Sequence, residues 1–332
     1  MENERLTIKK IAELTGVSTA TVSKVLNNTG RYSNETRKKI LDVVEKYDYR
    51  PNAVAKSLRT SKSKTIGVIV PDITNEFFAH IVLAIERYCG PIGYSIFICN
   101  SDENEEKEIQ YLKELENKGV DGLIYLAASN QLIEARTNLP IVCIDRKPNL
   151  ENTMIISSDN IHGGYLATLE LIKHGCENIL LLRDFRDVLP TVERSIGFHN
   201  ALKEHGIDVK ENQVALLEVG IEQGKEAIHS LIKNNKFEFD GIFATTDGLA
   251  YGAYLALKEN RISVPDQVKI VGYDNISLAR YNSISSIDQN KQLLGELAAE
   301  NLLLLIEKKT PRQHNTIKIP VELVRRGSTS KG

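Results

Sequence analysis

Polar side chains recur where the apolar runs of this sequence end, and their types suit the recognition of a polyol. They stand in six short segments: Pro71–Phe78, Asp145–Arg146, Glu193–Arg194, Thr246–Asp247, Tyr273–Asn275 and Asp288–Gln289. A carboxylate can accept hydrogen bonds from two adjacent hydroxyls, and an arginine can donate a matched pair. Phe77 or Phe78 can cover the apolar face of a pyranose or furanose. Each residue alone also suits a helix cap, a turn or a surface ion pair.

A second chemical signal is the uneven distribution of charge along the chain. Residues 1–64 hold 14 Lys and Arg against 7 Asp and Glu, a net charge of +7, whereas the rest of the 332-residue chain carries −9. This distribution is expected if only the first module meets a polyanion such as nucleic acid. Chance clustering of charge on a solvated surface is the alternative.

Three short helices are predicted in the basic module. Their caps and ranges are Thr7 for Ile8–Leu14, Ser18 for Thr19–Leu26 and Ser33 for Asn34–Tyr47. In the third helix Ile40, Leu41 and Val44 are expected to face inward. The spacing predicts a helix-turn-helix whose second helix enters the major groove, with these outward residues able to reach bases or phosphates: Thr19, Ala20, Ser23 and Lys24. A small helical bundle with an exposed polar face is the alternative.

The segment Asn52–Arg59 is predicted to be a short helix that forms only with a partner. Isolated helices below about 12–15 residues are marginal in water. Leu58 has no core nearby, because the polar linker Thr60–Lys64 follows it. An apolar side chain on a basic segment suits a wedge between base pairs in the minor groove. Alternatively, Leu58 packs against the next domain.

Strands and helices alternate from Thr65 onward, which predicts two consecutive doubly wound parallel-sheet lobes. The predicted strands are Thr65–Val70, Tyr94–Cys99, Gly122–Leu126, Ile141–Ile144, Asn178–Leu182, Gln213–Leu217, Gly241–Ala244, Lys269–Val271 and Ile317–Leu323. The predicted helices are Phe77–Gly90, Asn104–Lys118, His162–His174, Val192–His205, Ile221–Asn234, Leu249–Asn260 and Asn290–Lys308. Gly163 and Gly164 either begin their helix or allow close packing. Two such lobes place ligands at the carboxyl ends of their strands, beside a cleft that can close.

Three segments together resemble the LacI/GalR family of sugar-responsive bacterial repressors: residues 7–27 (TIKKIAELTGVSTATVSKVLN), 33–40 (SNETRKKI) and 49–58 (YRPNAVAKSL). The resemblance covers essentially the whole chain. It implies a small all-α helix-turn-helix domain over 1–50 and a hinge helix and linker over 51–64. Residues 65–332 would then form an effector-binding and dimerisation module of two α/β lobes like those of periplasmic binding proteins. Two departures are Lys24, where many members have Arg, and Lys10, where an acidic capping residue is common.

The residues themselves and the resemblance together indicate which residues bind; the resemblance carries Thr19, Ala20, Lys24 and Leu58 of the first set below and all of the second set except Phe78. Residues expected to contact DNA are Thr7, Ser18, Thr19, Ala20, Thr21, Ser23, Lys24, Asn27, Asn52, Ala55, Lys56 and Leu58. Residues expected to line the effector cleft are Asp72, Asn75, Phe77, Phe78, Arg146, Arg194, Asp247, Asp274 and Gln289. In the family the leucine that matches Leu58 kinks the centre of the operator.

Other classes of protein find little support in the sequence. It contains no G-x-G-x-x-G after the first strand, no phosphate loop and no G-x-S-x-G elbow, so we expect no enzyme. The seven histidines show no metal spacing, and we expect no cofactor. No apolar run reaches about 18–20 residues, and the charged start has no apolar core, so we expect a cytoplasmic protein. Four separated cysteines fit reduced packing residues.

We therefore expect a repressor of a carbohydrate-utilisation operon whose affinity for a pseudo-palindromic operator is controlled by a small sugar. A homodimer is expected rather than a tetramer, because no leucine-heptad tail follows the last strand. Three alternatives stay open: a global catabolite regulator controlled by a phosphocarrier protein, a sugar-binding protein without a gene-regulatory role, and an enzyme on the same scaffold.

Overall fold

The computed structural model describes residues 6–49, 62–126, 137–145, 153–308 and 316–330. They belong to two compact units, Met1–Ser63 and Lys64–Gly332. The expected hinge residues Asn52, Ala55, Lys56 and Leu58, and the expected cleft residue Arg146, lie outside the described residues. No helix within the described ranges is both long and apolar enough to cross a bilayer.

The first unit is a three-helix bundle whose helices begin at the predicted side-chain caps. The helices are α1 (Ile8–Thr15), α2 (Thr19–Leu26) and α3 (Asn34–Lys46). The hydroxyl of Thr7 accepts from the amide of Lys10 at 3.2 Å, and Ser18 and Ser33 accept from the amides of Thr21 and Thr36, each at 3.1 Å. Gly16 ends α1 in the left-handed conformation (φ 69°), which a residue with a Cβ adopts at a cost.

The core of this unit corrects one prediction for α3. Ile11, Val22, Val25 and Ile40 are buried, and Val43 and Val44 pack against them. Leu41, which was expected to face inward, is 38% exposed. Ile40, Val43 and Val44 already form the i, i+3, i+4 stripe that faces α1 and α2, so Leu41 lies one position outside it.

The second unit contains two six-stranded sheets, each in its own lobe. The first lobe has the sheet order β11-β5-β4-β3-β1-β2 and helices on both faces. Its elements are β1 (Thr65–Val70), α4 (Glu76–Cys89), β2 (Ser95–Asn100), α5 (Glu105–Asn117), β3 (Gly122–Tyr125), β4 (Ile141–Ile144), β5 (Met154–Ser158), α11 (Lys291–Ile306) and β11 (Thr316–Ile319). Its strands are parallel throughout, so the polar segments that follow them lie at one edge of the sheet.

The second lobe has the order β12-β10-β9-β8-β6-β7. Its elements are α6 (Asn160–Lys173), β6 (Ile179–Asp184), α7 (Leu189–Glu204), β7 (Val214–Leu217), α8 (Ile221–Lys233), β8 (Gly241–Ala244), α9 (Asp247–Glu259), β9 (Lys269–Tyr273), α10 (Ser277–Tyr281), β10 (Ser285–Asp288) and β12 (Glu322–Val324). All pairs are parallel except β10 with β12. The fold class predicted from sequence, two doubly wound lobes after an all-α domain, is confirmed.

The lobes are not consecutive, which corrects a second prediction. The chain crosses between them after β5, after β10 and after β11, and α11 returns to pack on α4 and β3–β5 of the first lobe. The strand predicted over Ile317–Leu323 is two strands in different sheets. Pro320 lies between them and has no N–H to continue the ladder, so the third crossing falls there.

Two glycines let α6 and α7 approach closely. A Cβ on Gly164 would lie 2.1 Å from the carbonyl oxygen of Arg194, and one on Gly197 would lie 2.0 Å from that of Ile161. Both distances are far below van der Waals contact, so glycine is required at this crossing. The close-packing prediction for Gly164 is thereby confirmed, and the contact fixes the position of Arg194 on α7.

Candidate functional site

The exposed face of α2 carries the residues predicted to read DNA. Thr19, Ala20 and Lys24 are exposed, while Val22 and Val25 of the same helix are buried. Thr21 and Ser23 are half-buried. Exposed polar and small side chains near the start of a helix are what a major-groove contact requires.

The remaining predicted DNA contacts in this unit have structural partners as well. Thr7 and Ser18 are the N-cap residues of α1 and α2, and both side chains are exposed. The side-chain amide of Asn27 donates to the carbonyl of Ser23 at 2.8 Å. The Thr7 hydroxyl can donate its proton to a phosphate while it caps its helix, whereas the Ser18 hydroxyl also bonds the Thr21 hydroxyl at 2.9 Å, so a phosphate would have to replace that bond.

Arg194 is the centre of a buried polar cluster at the junction of the two lobes. Its side chain makes three hydrogen bonds: Nε to Oδ1 of Asn160 (2.9 Å), Nη1 to the carbonyl of Thr245 (2.7 Å) and Nη2 to Oε1 of Gln289 (3.1 Å). Its guanidinium carbon lies 3.7 Å from the centre of the Tyr273 ring. The forked guanidinium group of Arg194 is therefore held by α6, by the end of β8 and by the chain crossing after β10. It is rigid before any ligand binds.

Asp274 supplies the opposite charge to this cluster. Its Oδ1 accepts from Nε2 of Gln289 at 2.6 Å and lies 3.7 Å from Nη1 of Arg194. Burial raises the pKa of Asp274 to about 6, although Arg194 and Lys291 act in the opposite direction. Its backbone has φ 103°, a strained conformation for a residue other than glycine. Strain at this position places the carboxyl at the carboxyl end of β9.

Asp247 is fully buried at the start of α9 and has a different set of partners. Its Oδ2 accepts from the amide of Ile276 at 2.8 Å, and its Oδ1 accepts from Oγ of Ser286 at 2.6 Å. Burial, followed by the nearby Asp274 carboxylate, raises the pKa of Asp247 to about 8. Both carboxyl oxygens already bind the protein, so Asp247 organises the turns after β9 and β10.

The predicted first-lobe residues cluster after β1. Asp72 accepts from the amide and hydroxyl of Thr74 at 2.8 and 2.7 Å, and Asn75 caps α4 by accepting from the amide of Phe77 at 3.0 Å. Phe77 is buried in the first-lobe core, whereas Phe78 is only half-buried and meets its ring edge to face. Phe78 is therefore the aromatic ring better placed to cover a ligand.

Two residues of the cluster, Asn160 and Thr245, were missed as candidate ligands, and Tyr273 was named only as the start of the segment Tyr273–Asn275. Asn160 donates to Asp145 of the first lobe at 3.3 Å while it accepts from Arg194 of the second, so it links the lobes. It lies two positions after β5, a strand that ends in Ser157 and Ser158 and lacks a long apolar run. Because β5 was not predicted as a strand, no predicted strand end pointed to Asn160 as a site residue.

Two buried oxygens near Arg194 lack a hydrogen-bond partner among the described residues. They are Oε2 of Glu193 and Oγ1 of Thr245. Burial raises the pKa of Glu193. Unsatisfied buried polar atoms are rare in proteins, and these two oxygens are able to bond a ligand hydroxyl. Together with Arg194, Asp274 and Gln289 they offer the mixed donors and acceptors that a polyol needs. In the described part of the chain, no group of three or more His, Cys, Asp or Glu could hold a metal ion.

A helix-turn-helix unit joined to a two-lobed α/β module with such a cluster defines the class of ligand-responsive transcription regulators. Residues 7–52 match the family described as "Bacterial regulatory proteins, lacI family". Residues 63–327 match "Periplasmic binding proteins and sugar binding domain of LacI family". This chain belongs to the LacI family and is a DNA-binding transcriptional repressor with that family's sugar-binding domain.

Individual relatives are similar along almost their whole length. The chain is 37% identical over 330 residues to the HTH-type transcriptional repressor PurR of Actinobacillus pleuropneumoniae serotype 3 (strain JL03), covering 97% of this chain and 98% of PurR. The lac repressor dimer bound to operator and the anti-inducer ONPF superposes with a TM-score of 0.88 at 25% identity, covering 99% of this chain and 100% of that one. A LacI family regulator from Enterococcus faecium with bound ribose gives 0.72 at 30% identity, covering 80% and 98%.

Proposed function

We propose that this protein represses a carbohydrate-utilisation operon and that a small neutral sugar, held between its lobes, controls its affinity for operator DNA. The observation that carries the proposal is the buried cluster of Arg194, Asp274 and Gln289. It keeps a rigid guanidinium beside a carboxyl, the pair that binds vicinal hydroxyls, and Asn160 ties it to Asp145 of the first lobe. Asp72 adds a further acceptor from the first lobe. Of the other predicted cleft residues that the structure describes, Phe77 belongs to the core, Asn75 caps α4 and Asp247 holds the turns after β9 and β10, which leaves Phe78 to cover the sugar.

We propose a neutral sugar rather than a sugar acid or phosphate, because Arg194, the one described arginine among the predicted cleft residues, already lies beside the Asp274 carboxyl. Asp72 adds another acidic group, and Arg146 would add a second basic one. Asp247 adds no charge near neutral pH, because burial raises its pKa to about 8. The Enterococcus faecium relative was solved with bound ribose. D-ribose is therefore the first sugar to test.

We propose that the chain acts as a homodimer on a pseudo-palindromic operator. Exposed apolar side chains on the first lobe support this: Leu83 on α4, and Phe97 and Ile98 on the edge strand β2, are each more than 40% exposed. An uncovered apolar edge strand is a liability in a monomer and an interface in a dimer. The similar lac repressor is a dimer on its operator.

Control would follow from the unequal affinity of the sugar for open and closed forms of the lobes. A coupling free energy of about 1–3 kcal/mol would change operator affinity about 5- to 150-fold. In the operator complex Thr19, Ala20 and Lys24 would contact the bases in the major groove. Leu58 would insert between the two central base pairs from the minor groove.

The test measures sugar binding and operator binding separately. DNA selected from a random pool by the full-length protein serves as operator. Thermal unfolding is followed with D-ribose, D-xylose, D-glucose and ribose 5-phosphate, and a sugar at 100 times its Kd should add about 2.7 kcal/mol of stability. The proposal requires that one neutral sugar stabilise the protein and shift operator affinity. Binding of ribose 5-phosphate alone, or DNA binding that needs an added phosphocarrier protein, would contradict it.

A further inference from the structure

Glu76, the first residue of α4, reaches from the first lobe to the second. Its Oε1 accepts from the amide of Ser277 at 2.9 Å, and its Oε2 accepts from the Ser277 hydroxyl. Nε2 of His80 lies 3.3 Å from Oε1 on the other side. Neither Glu76 nor Ser277 lies at a crossing between the lobes, so the contact spans the space that the lobes enclose.

Ser277 begins α10, and its own lobe provides no side-chain cap. The preceding residue is Ile276, whose side chain cannot accept a hydrogen bond and whose amide already donates to Asp247. Without Glu76, the backbone amide of Ser277 would have to donate its hydrogen bond to water. Glu76 therefore completes the first turn of α10 from the opposite lobe.

An apolar contact accompanies the polar one. Ile276 belongs to the second lobe, yet it packs against the hydrophobic core cluster of the first, which also holds Ile73 and Phe78 at its margin. We call Glu76, Ser277 and Ile276 the Glu76 latch. When the lobes separate, the Glu76 carboxylate loses its Ser277 donors and the Ile276 side chain becomes more exposed to water.

A second contact also joins the lobes. Arg186, whose Nε lies 2.9 Å from Oδ1 of Asp184, pairs with Glu103 of the first lobe. The Glu76 latch differs from this ion pair because its carboxylate accepts two hydrogen bonds from Ser277 and because the half-buried Ile276 adds an apolar contact. Loss of the latch therefore removes polar and apolar contacts between the lobes even while the Arg186 pair remains.

We infer that Glu76 is a positioning residue that favours the closed form of the lobes and does so without contacting the sugar. This extends the proposed function, because a sugar that binds the closed form gains apparent affinity in proportion to the closed population. The latch itself needs no sugar. It can therefore be tested in the sugar-free protein.

The first measurement is amide hydrogen exchange in the full-length, sugar-free protein. We expect Glu76→Ala and Ser277→Ala each to speed exchange in both segments 72–78 and 274–281, although each change lies in only one lobe. The double variant should exchange no faster than Glu76→Ala alone, since Glu76→Ala removes both hydrogen bonds whereas Ser277→Ala removes only the one from the hydroxyl. Glu86→Ala, an exposed carboxylate on the same helix, is the matched control. Effects confined to the mutated lobe, or additive effects, would overturn the inference.

The second measurement is the Kd for D-ribose. Each single variant should weaken it about 3- to 30-fold, Glu76→Gln should weaken it less than Glu76→Ala, and Glu86→Ala should leave it unchanged. Operator affinity of the sugar-free variants should move opposite to the change that ribose causes in the wild type. An unchanged ribose Kd in both variants would refute the latch. If the wild type does not bind ribose at all, the choice of sugar fails and the exchange result alone decides on the latch.

Discussion

The guanidinium of Arg194 stacks on the ring of Tyr273, with 3.7 Å between the guanidinium carbon and the ring centre. Both side chains are buried, and both reach the same atom, Oδ1 of Asn160. Stacking fixes the plane of the fork while its three hydrogen bonds fix its rotation within that plane. A donor held in this way loses little entropy when it meets a ligand.

The first prediction concerns this fork. Arg194→Lys keeps the charge, but a lysine ammonium can neither stack as a plane nor reach Asn160, Thr245 and Gln289 together. We expect a loss of about 2–4 kcal/mol in the free energy of unfolding, because buried acceptors lose their donors. D-ribose binding should weaken as well. Urea unfolding and calorimetric titration measure the two effects. Arg87→Lys, on the exposed face of α4, is the control, and equal behaviour of the two variants would contradict the assignment.

The second prediction concerns the crossing of α6 and α7. Gly164→Ala places a methyl group against the backbone of Arg194, so α7 must move away. Overpacking of this kind typically costs about 1–3 kcal/mol of stability. Because α7 carries Arg194, ribose affinity should fall too, although Gly164 itself is not a predicted ligand.

Gly248→Ala is the matched control for this change. Gly248 is also in a helix, but a Cβ there would have its nearest neighbour at 3.9 Å. Alanine should be neutral or slightly stabilising there, since it favours the helix. Thermal unfolding of both variants in parallel gives the comparison. Equal stability of Gly164→Ala and wild type would show that the crossing is looser than described.

Local signals explain how much of the fold could be predicted. Ser18 and Ser33 cap the helices they were expected to cap, because a cap depends on residues three positions apart. The apolar strands β1, β4 and β8 begin and end where predicted. Strands β5 and β10 were missed, since Ser157, Ser158, Ser285 and Ser286 interrupt the apolar pattern on which strand prediction depends.

Distant contacts explain what was not predicted. Asn160 meets Tyr273 across 113 positions, and Glu76 meets Ser277 across 201. No local pattern records such pairs. The return of α11 to the first lobe was missed for the same reason, because it packs on α4 and β3–β5, which lie far away in the sequence. The predicted ligands Arg194, Asp274 and Gln289 do meet, since each follows or faces the end of a strand.

The third prediction is a pH dependence of stability. An unfolded Asp titrates near pH 4, whereas burial raises the pKa of Asp247 to about 8. Between these values the folded protein holds a proton that the unfolded chain has lost. Asp247 therefore stabilises the fold below pH 4 relative to higher pH, and this contribution falls as the pH rises toward 8, by at most about 1.4 kcal/mol per pH unit.

Asp247→Asn tests this pH dependence. Its amide can still accept from Ile276 and donate to Ser286, so the variant should fold, and its free energy of unfolding should decline less from pH 5 to pH 8 than that of wild type. Urea unfolding across this range gives the slopes. Asp208→Asn, at an exposed position, should leave the slope unchanged. Identical slopes for wild type and Asp247→Asn would mean that Asp247 is ionised in the folded protein at pH 5.

The fourth prediction concerns Leu58, which lies outside the described residues and is argued from its sequence context. Leu58→Ser should weaken operator binding about 10- to 100-fold, because burying a leucine between base pairs contributes roughly the transfer free energy of its side chain. D-ribose binding should not change. Leu58→Met, which stays apolar, should bind operator nearly as well as wild type. Fluorescence anisotropy at one fixed salt concentration measures both variants. An equal loss of operator and ribose binding would instead place Leu58 against the sugar-binding domain.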